Sequence, residues 1–367
     1  ARRLNGMFTF ALYDSKKKRL LLARDPVGIK PLIYRWTGRT LVFASEAKSV
    51  LLHPAVTAAL DPQALHSLLN IRFVPGPRTL FDGIHQLPPG HGLVLESDEL
   101  TQFRYHEWDY PGHLELSPQE AADGFLEKLS RAVDRQMVAD VPLGIFLSGG
   151  LDSSSILTAA TQARGQDGVS TYTLGFGEPT DELEDARSVA THFGSTHHET
   201  TLSASPLHLF PRIVYHAECP KVNATQGYYL SRFARSEVTV ALSGMGGDEL
   251  YFGYNIYRYL WPGRLLIDSP FARPLSIFSG AFDSLAGILD RLGGLRGENA
   301  RRVVELMASA HDPSRYYLTL RNGWDLRQGA AARLYEEAWL GQLEGSTRDS
   351  FAPYFGRPEL PLAEQIQ

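Results

Sequence analysis

The chain has 367 residues, 43% hydrophobic and 21% charged, with a formal net charge of −5. It is long enough for about two domains around sizeable cores, and its interspersed, net-negative charge argues against a nonspecific nucleic-acid surface. No run of about eighteen apolar residues could span a membrane and no charged-then-apolar leader opens the sequence, so a cytoplasmic protein is the expectation; the single Cys219 excludes an internal disulfide.

The first stretch alternates short apolar runs with turn signals: Leu4 to Tyr13, a charged turn at Lys16-Lys17-Lys18, Leu20 to Ala23, Pro31 to Tyr34 and Leu41 to Ala44. That pattern predicts an antiparallel sheet. Asp61-Pro62 predicts an N-cap and a first helical position, opening a helix through Leu65, Leu68 and Leu69. Pro and Gly are frequent from Arg72 to Gly112, with a hairpin expected over His91 to Phe103, and a first domain is expected over residues 1–110. Ser117-Pro118-Gln119-Glu120 has the capping-box pattern, and Phe125, Leu126, Leu129, Ala132, Val133 and Met137 follow at helical spacing. Short apolar runs at Gly144 to Leu147, Thr171 to Phe176 and Val238 to Leu242 read as buried parallel strands between helices. Residues 111–367 are therefore expected to form a doubly wound α/β domain, mostly helical after Tyr254 and punctuated by Pro from Pro353.

The strongest local signal is Leu147-Ser148-Gly149-Gly150-Leu151-Asp152-Ser153-Ser154, lying between a strand pattern and a helix pattern. Two glycines let backbone approach an anion, and the N–H groups at the helix start favour negative charge. The turn has no Walker Lys and it carries an acid, which repels phosphate unless a divalent cation lies between them. Asp152 is thus the first candidate Mg²⁺ ligand. A second turn, Leu242-Ser243-Gly244-Met245-Gly246-Gly247-Asp248-Glu249, also follows a strand. Ligands of open α/β sheets bind beyond the carboxyl ends of strands, so Asp152 and Asp248 are expected to share one Mg²⁺.

The Ser148 to Ser154 turn resembles the pyrophosphate-binding loop of the ATP pyrophosphatase superfamily. Leu242 to Tyr254 resembles the companion motif of the asparagine synthetase family, and Asn5 to Phe8, Ala11 to Asp14, Ala23 to Leu32 and Phe43 to Lys48 resemble the later half of its glutaminase domain. The resemblance implies that residues 1–110 are the C-terminal part of an N-terminal-nucleophile α+β glutaminase domain. Residues 111–367 would be an ATP-dependent synthetase domain of the ATP pyrophosphatase (adenine nucleotide α-hydrolase-like) type, both ends of the family's chain being expected outside these residues. It further implies that ammonia freed from glutamine reaches a site where aspartate attacks the α-phosphate of ATP; ammonia then displaces AMP from the acyl-adenylate to give asparagine. The implied cofactors and partners are ATP with Mg²⁺, aspartate or another carboxylate, and glutamine-derived ammonia; neither nucleic acid nor membrane is implied, and a homodimer stays open. By matching positions, Leu147, Leu174, Ser243 and Gly244 would contact ATP, with Leu174 near the adenine. Ser148, Gly149, Gly150, Ser153 and Ser154 would cradle phosphate.

Two positions depart from the family's pattern. Its glutaminase needs a mature N-terminal Cys, whereas Ala1 has neither thiol nor hydroxyl, so these residues alone are not expected to hydrolyse glutamine. Met245 stands where typical members carry a Glu that acts near the adenylate intermediate, and a thioether cannot take a proton. Alternative readings are a related amidotransferase or β-lactam-forming enzyme acting on another carboxylate, and a non-catalytic nucleotide-binding relative. Elsewhere the structural readings prevail: Cys219 as an apolar filler, His197-His198-Glu199 as strand residues facing alternate sides, and Tyr215, Tyr228, Tyr229 and Tyr257 as helix packing with wet hydroxyls. Asp181-Glu182 and Glu184-Asp185 read either as a charged helix start or as part of an acceptor pocket.

Overall fold

The computed structural model describes residues 1–108, 114–164, 168–179, 181–202, 206–221, 224–251, 253–254, 281, 285, 301, 303–309, 312–321, 323 and 330–351. Close contacts group the chain into two units, Ala1–Tyr110 with Asn255–Gln367, and Pro111–Tyr254. Residues from Asn255 onward, expected in the second domain, thus group with the first unit. Tyr257 and the run from Pro353 lie outside the described residues.

The first unit contains, in chain order, strands β1 (Thr9–Asp14), β2 (Arg19–Arg24), β3 (Ile33–Trp36) and β4 (Leu41–Ala44), helices α1 (Ala47–Leu51) and α2 (Pro62–Ile71), and strands β5 (His85–Gln86), β6 (His91–Glu96) and β7 (Glu99–Arg104). They make two antiparallel sheets, ordered β1-β2-β6-β7 and β4-β3-β5. Leu22 and Leu93 of the first sheet share a core with Leu32 and Leu87 flanking the second. Strand β1 starts later than the apolar pattern predicts: Leu4 N–H closes a turn on the Ala1 carbonyl at 2.8 Å, and Gly6 has a φ of 147°, leaving the pleat only from Thr9.

Between β2 and β3 an acid organises a loop. Asp25 is 1% exposed, and its carboxylate accepts the N–H groups of Val27, Gly28, Ile29 and Lys30 at 3.1, 2.7, 3.0 and 2.9 Å. The neighbouring Arg24 donates to the Lys30 and Leu87 carbonyls at 2.8 and 2.6 Å. Removing the acceptor leaves several partly buried donors unmatched, so Asp25→Ala is expected to destabilise the protein by about 2–4 kcal/mol. A urea midpoint equal to that of the parent would refute this account of the loop.

Helix α2 starts as its sequence predicts: Asp61 accepts the Ala64 N–H at 2.9 Å, and Pro62 occupies the first turn. Its end carries Ile71, which packs with Leu318 and Phe351. Arg78 pairs with Asp61 at 2.9 Å and with Glu344. These contacts are why the helices Pro313–Leu320 and Thr347–Phe351 group with the first unit.

The second unit contains α3 (Pro118–Gln136), β8 (Leu143–Phe146), α4 (Leu151–Arg164), β9 (Ser170–Gly175), α5 (Leu183–Phe193), β10 (Thr196–Thr201), α6 (Phe210–Ala217), α7 (Ala224–Ala234), β11 (Val240–Leu242) and α8 (Gly247–Tyr251). The capping box of α3 is formed in both directions, Ser117 accepting the Glu120 N–H and Glu120 the Ser117 N–H. The four strands are parallel, in the order β10-β9-β8-β11. Ile145 and Leu147 pack among residues of α3, α4 and α5, while Phe146 and Tyr172 pack with α7 and Leu174 packs with Ile213 of α6 and Tyr229 of α7. Both faces are therefore covered by helices, as buried parallel strands require. Among the described residues, no helix is long and apolar enough to cross a membrane.

Candidate functional site

The chain leaves β8 toward β9 and β10 on one side, then crosses back to lay β11 on the other side of β8. Neighbouring strands whose connections run in opposite directions leave a crevice beyond their carboxyl ends. Two turns open onto that edge: 147–152 after β8 and 243–248 after β11, which carry Asp152 and Asp248.

The turns touch. A Cβ added at Gly244 would lie 2.7 Å from the Ser153 amide nitrogen and 2.8 Å from the Asp152 carbonyl carbon, so only glycine allows this approach. A Cβ at Gly247 would overlap the Asp152 carboxylate. Asp248 lies close enough for its backbone N–H to act on that carboxylate. Burial first, then the Asp248 carboxylate, and more weakly Glu249, push the Asp152 carboxyl above its ordinary value, against the opposing effect of that N–H. Like charges held together at partial burial favour a proton or a cation. The donor set suits Mg²⁺, which is commonly held by one or two carboxylates and completed by water and phosphate oxygens. Among the described residues no group of three or more His, Cys, Asp or Glu is placed to hold a metal by itself.

The first turn is braced from within. Ser153 is 6% exposed; its hydroxyl accepts the Ser148 N–H at 3.2 Å, lies 3.0 Å from the Ser148 hydroxyl and donates to the Gly150 carbonyl at 3.2 Å. The Ser148 hydroxyl in turn accepts the Gly150 N–H at 3.2 Å. Helix α4 begins at once, with Ser154 N–H on the Gly150 carbonyl at 3.0 Å. The Ser154 hydroxyl is buried without a hydrogen-bond partner among the described residues. Gly149, at φ +79°, lies against the start of α5: a Cβ there would be 2.7 Å from Asp185.

Leu147 is buried and its N–H bonds the Tyr172 carbonyl at 3.0 Å. Leu174 is likewise buried, near the end of β9, whereas Ser243 and Met245 are exposed. The structure thus brings Asp152, Ser153, Gly244 and Asp248 together directly. The sequence named Gly247 only within its turn and Asp185 only as a helix-start or acceptor-pocket acid; it did not reveal that Gly247 lies against Asp152 or Gly149 against Asp185.

The remaining candidates have structural partners. Asp181 accepts the N–H groups of Phe176, Gly177 and Glu178 at 2.8, 2.7 and 3.2 Å, closing the loop after β9. His197 lies 2.9 Å from the Thr171 hydroxyl and His198 stacks on Tyr172, so the pair faces alternate sides of the sheet. Tyr229 departs from expectation: it is buried, and its hydroxyl lacks a hydrogen-bond partner among the described residues.

Comparison with known proteins gives the family. The model of the asparagine synthase family matches residues 124–344, and that of a glutamine amidotransferase domain matches residues 1–106. An asparagine synthetase (glutamine-hydrolysing) of Bacillus subtilis is 33% identical over 70% of this chain and 41% of its own length. Amidase chyE of Penicillium rubens is 29% identical over 75% of this chain and 45% of its own. The chain thus spans less than half the length of these relatives. Among solved structures, a glutamine-dependent NAD⁺ synthetase from Acinetobacter baumannii in complex with ADP has 15% identity over 68% of this chain and 61% of that one, with a TM-score of 0.28, a likeness too slight to assign a fold. With its family model matched over more than half of these residues, the chain belongs to the asparagine synthase family.

Proposed function

We propose that the second unit carries the adenylating site of a carbon–nitrogen ligase that activates a carboxylate with ATP and Mg²⁺ and makes an amide from ammonia, releasing AMP and pyrophosphate. The observation supporting it is the meeting of the two turns beyond β8 and β11, with Gly244 closed on the Asp152–Ser153 backbone and Gly247 against the Asp152 carboxylate. The unit's fold is then of the ATP pyrophosphatase type. The amidotransferase part supplies the ammonia in the whole protein, and aspartate and asparagine are the leading substrate and product.

Asp152 and Asp248 would hold Mg²⁺, which when bound supplies charge neutralisation for the departing pyrophosphate. The N-terminal end of α4 would face the phosphates, favoured by the helix dipole, with the Ser154 hydroxyl, which has no hydrogen-bond partner among the described residues, as a further donor. Ser153 stiffens that cradle through its bonds to Ser148 and Gly150. Leu147, Leu174, Ser243 and Gly244 contact the rest of the nucleotide, Leu174 near the adenine. An acceptor carboxylate oxygen attacks the α-phosphorus, and the bond to the pyrophosphate oxygen breaks. Ammonia then attacks the acyl carbon, loses a proton, and AMP leaves with the carbon–oxygen electron pair. The chain's residues contribute mainly position and charge, the largest levers in such transfers.

A second reading keeps this chemistry and changes the acceptor, because Met245, in the same turn as Asp248, is 90% exposed and carries no group able to take a proton. Either reading predicts that the full-length protein, given ammonia, releases pyrophosphate from ATP only when Mg²⁺ and a carboxylic acid are both present. Release independent of any acid, or none with any acid tried, would end the proposal.

A further inference from the structure

Three buried hydroxyls of the second unit lack hydrogen-bond partners among the described residues: Ser154 in the first turn of α4, and Thr225 and Tyr229 on α7. A fourth such polar atom of this unit, Nε2 of His197, faces Glu199 at 3.6 Å. Native structures rarely leave a hydroxyl buried and unmatched, because it has given up water for nothing. Thr225 is 6% exposed and Tyr229 9%. Four residues apart on one helix, they share a face and lie one turn from each other.

The packing of α7 sets their level on the sheet. Near the end of the helix, the Phe233 ring meets the Tyr172 ring edge-on, centroids 5.8 Å apart. One turn earlier, Tyr229 packs with Leu174, two residues further along β9. The start of the helix, at Ala224, joins the same cluster as Phe176, one residue beyond the strand's end. The helix therefore runs against β9 and sets its N-terminal turns at the strand's carboxyl end. Helical side chains lean toward the N-terminus of their own helix, which here tilts both hydroxyls toward the edge of the sheet onto which the phosphate turn opens.

We propose that Thr225 and Tyr229 select the nucleotide by hydrogen-bonding its adenine base. The inference rests on the adenylating reading above and adds to it the side chains that read the base. Strands β8 and β9 are hydrogen-bonded neighbours, so a nucleotide with its phosphates at Ser154 reaches the end of β9 by crossing one strand spacing, about 5 Å. The surroundings of Tyr229 are apolar, with Leu174, Phe176 and the Tyr228 ring, and such walls with a few placed polar groups suit a flat heterocycle. Adenine carries an amino donor beside a ring-nitrogen acceptor. A hydroxyl both donates and accepts, so a pair of them matches that edge, and enclosure away from water strengthens the match.

The test is nucleotide binding by the full-length protein with Mg²⁺, measured by calorimetry. The parent should bind ATP about tenfold more tightly than purine ribonucleoside 5′-triphosphate, which lacks the amino group and leaves a hydroxyl unmatched. Thr225→Val and Tyr229→Phe should each weaken ATP binding about three- to tenfold, and the double variant should bind the two nucleotides alike. Without nucleotide, both single variants should melt at or above the parent's temperature, since apolar atoms of the same shape replace an unmatched buried hydroxyl. Variants that melt lower yet bind ATP as the parent does would overturn the inference, the hydroxyls then holding a structural water or side chain. Equal binding of ATP and the analogue by the parent overturns it too, and leaves the adenylating reading standing wherever pyrophosphate is still released. No ATP binding by the parent removes both, a distinct and recognisable failure.

Discussion

Asp152→Asn is expected to reduce pyrophosphate release by the full-length protein by about 10²–10³-fold, while leaving the Mg²⁺-free protein at least as stable as the parent. Asparagine keeps the volume and a polar oxygen to lie against Gly247, so the turn retains its shape while half of the proposed ion site loses its charge. The stability half follows from the raised Asp152 carboxyl, whose causes are burial, then Asp248, then Glu249. A carboxyl raised by folding holds its proton longer in the native state than in the unfolded chain. Stability therefore falls as pH climbs from the ordinary carboxyl range through the raised value, and the deficit persists at neutral pH. Removing the charge lifts that deficit, so at pH 7 without Mg²⁺ the variant should melt at or above the parent's temperature. The gap should close in acid. Mg²⁺ with ATP should raise the melting temperature of the parent and not of the variant, because only a ligand of the native state stabilises it. A variant that turns over normally, or that still gains stability from Mg²⁺ with ATP, would remove Asp152 from the site.

Where local chemistry decided the structure, the sequence could be read directly. Asp61-Pro62 and Ser117 through Glu120 carry their own hydrogen-bond acceptors at the correct spacing, and both cap helices in the structure. The apolar runs 144–147 and 171–176 could be read as strands, each within a residue of the observed β8 and β9, because both of their faces are buried. Strand β10 carried no apolar signal, although His197-His198-Glu199 read as strand residues: Thr196–Thr201 is a polar Thr-His-His-Glu-Thr-Thr stretch made a strand by pairing along one side with β9. The predicted start of the last strand at Val238 fails for a local reason. The Val238 N–H finishes α7 on the Ala234 carbonyl at 2.9 Å, and pairing begins only at Val240. At the site, two acid-bearing turns after parallel strands were visible from pattern and topology rules. The intimacy of their contact was not, because it depends on which glycine faces which backbone, and no periodicity encodes that.

That contact carries the second large effect. Gly244→Ala is expected to lower kcat/KM for pyrophosphate release by about 10²-fold or more, with a stability loss of about 1–3 kcal/mol. The added methyl would sit 2.7 Å from the Ser153 nitrogen and 2.8 Å from two carbons of Asp152, closer than packed atoms tolerate. It cannot be relieved by swinging a flexible side chain, since two of these atoms belong to backbone at the first turn of α4. That backbone is held by the Ser154 N–H on the Gly150 carbonyl and by the Ser153 hydroxyl bonds. The turn after β11 must therefore retreat, carrying Asp248 away from Asp152 by on the order of 1 Å, a misplacement of the size that costs about two orders of magnitude in rate. Gly124 supplies the control: it lies within α3, and a Cβ there would meet nothing within 4 Å. Gly124→Ala should be neutral to stabilising by about 0.5–1 kcal/mol, with activity retained. Activity in Gly244→Ala equal to that in Gly124→Ala, both folded by circular dichroism, would mean that the two turns do not act as one site.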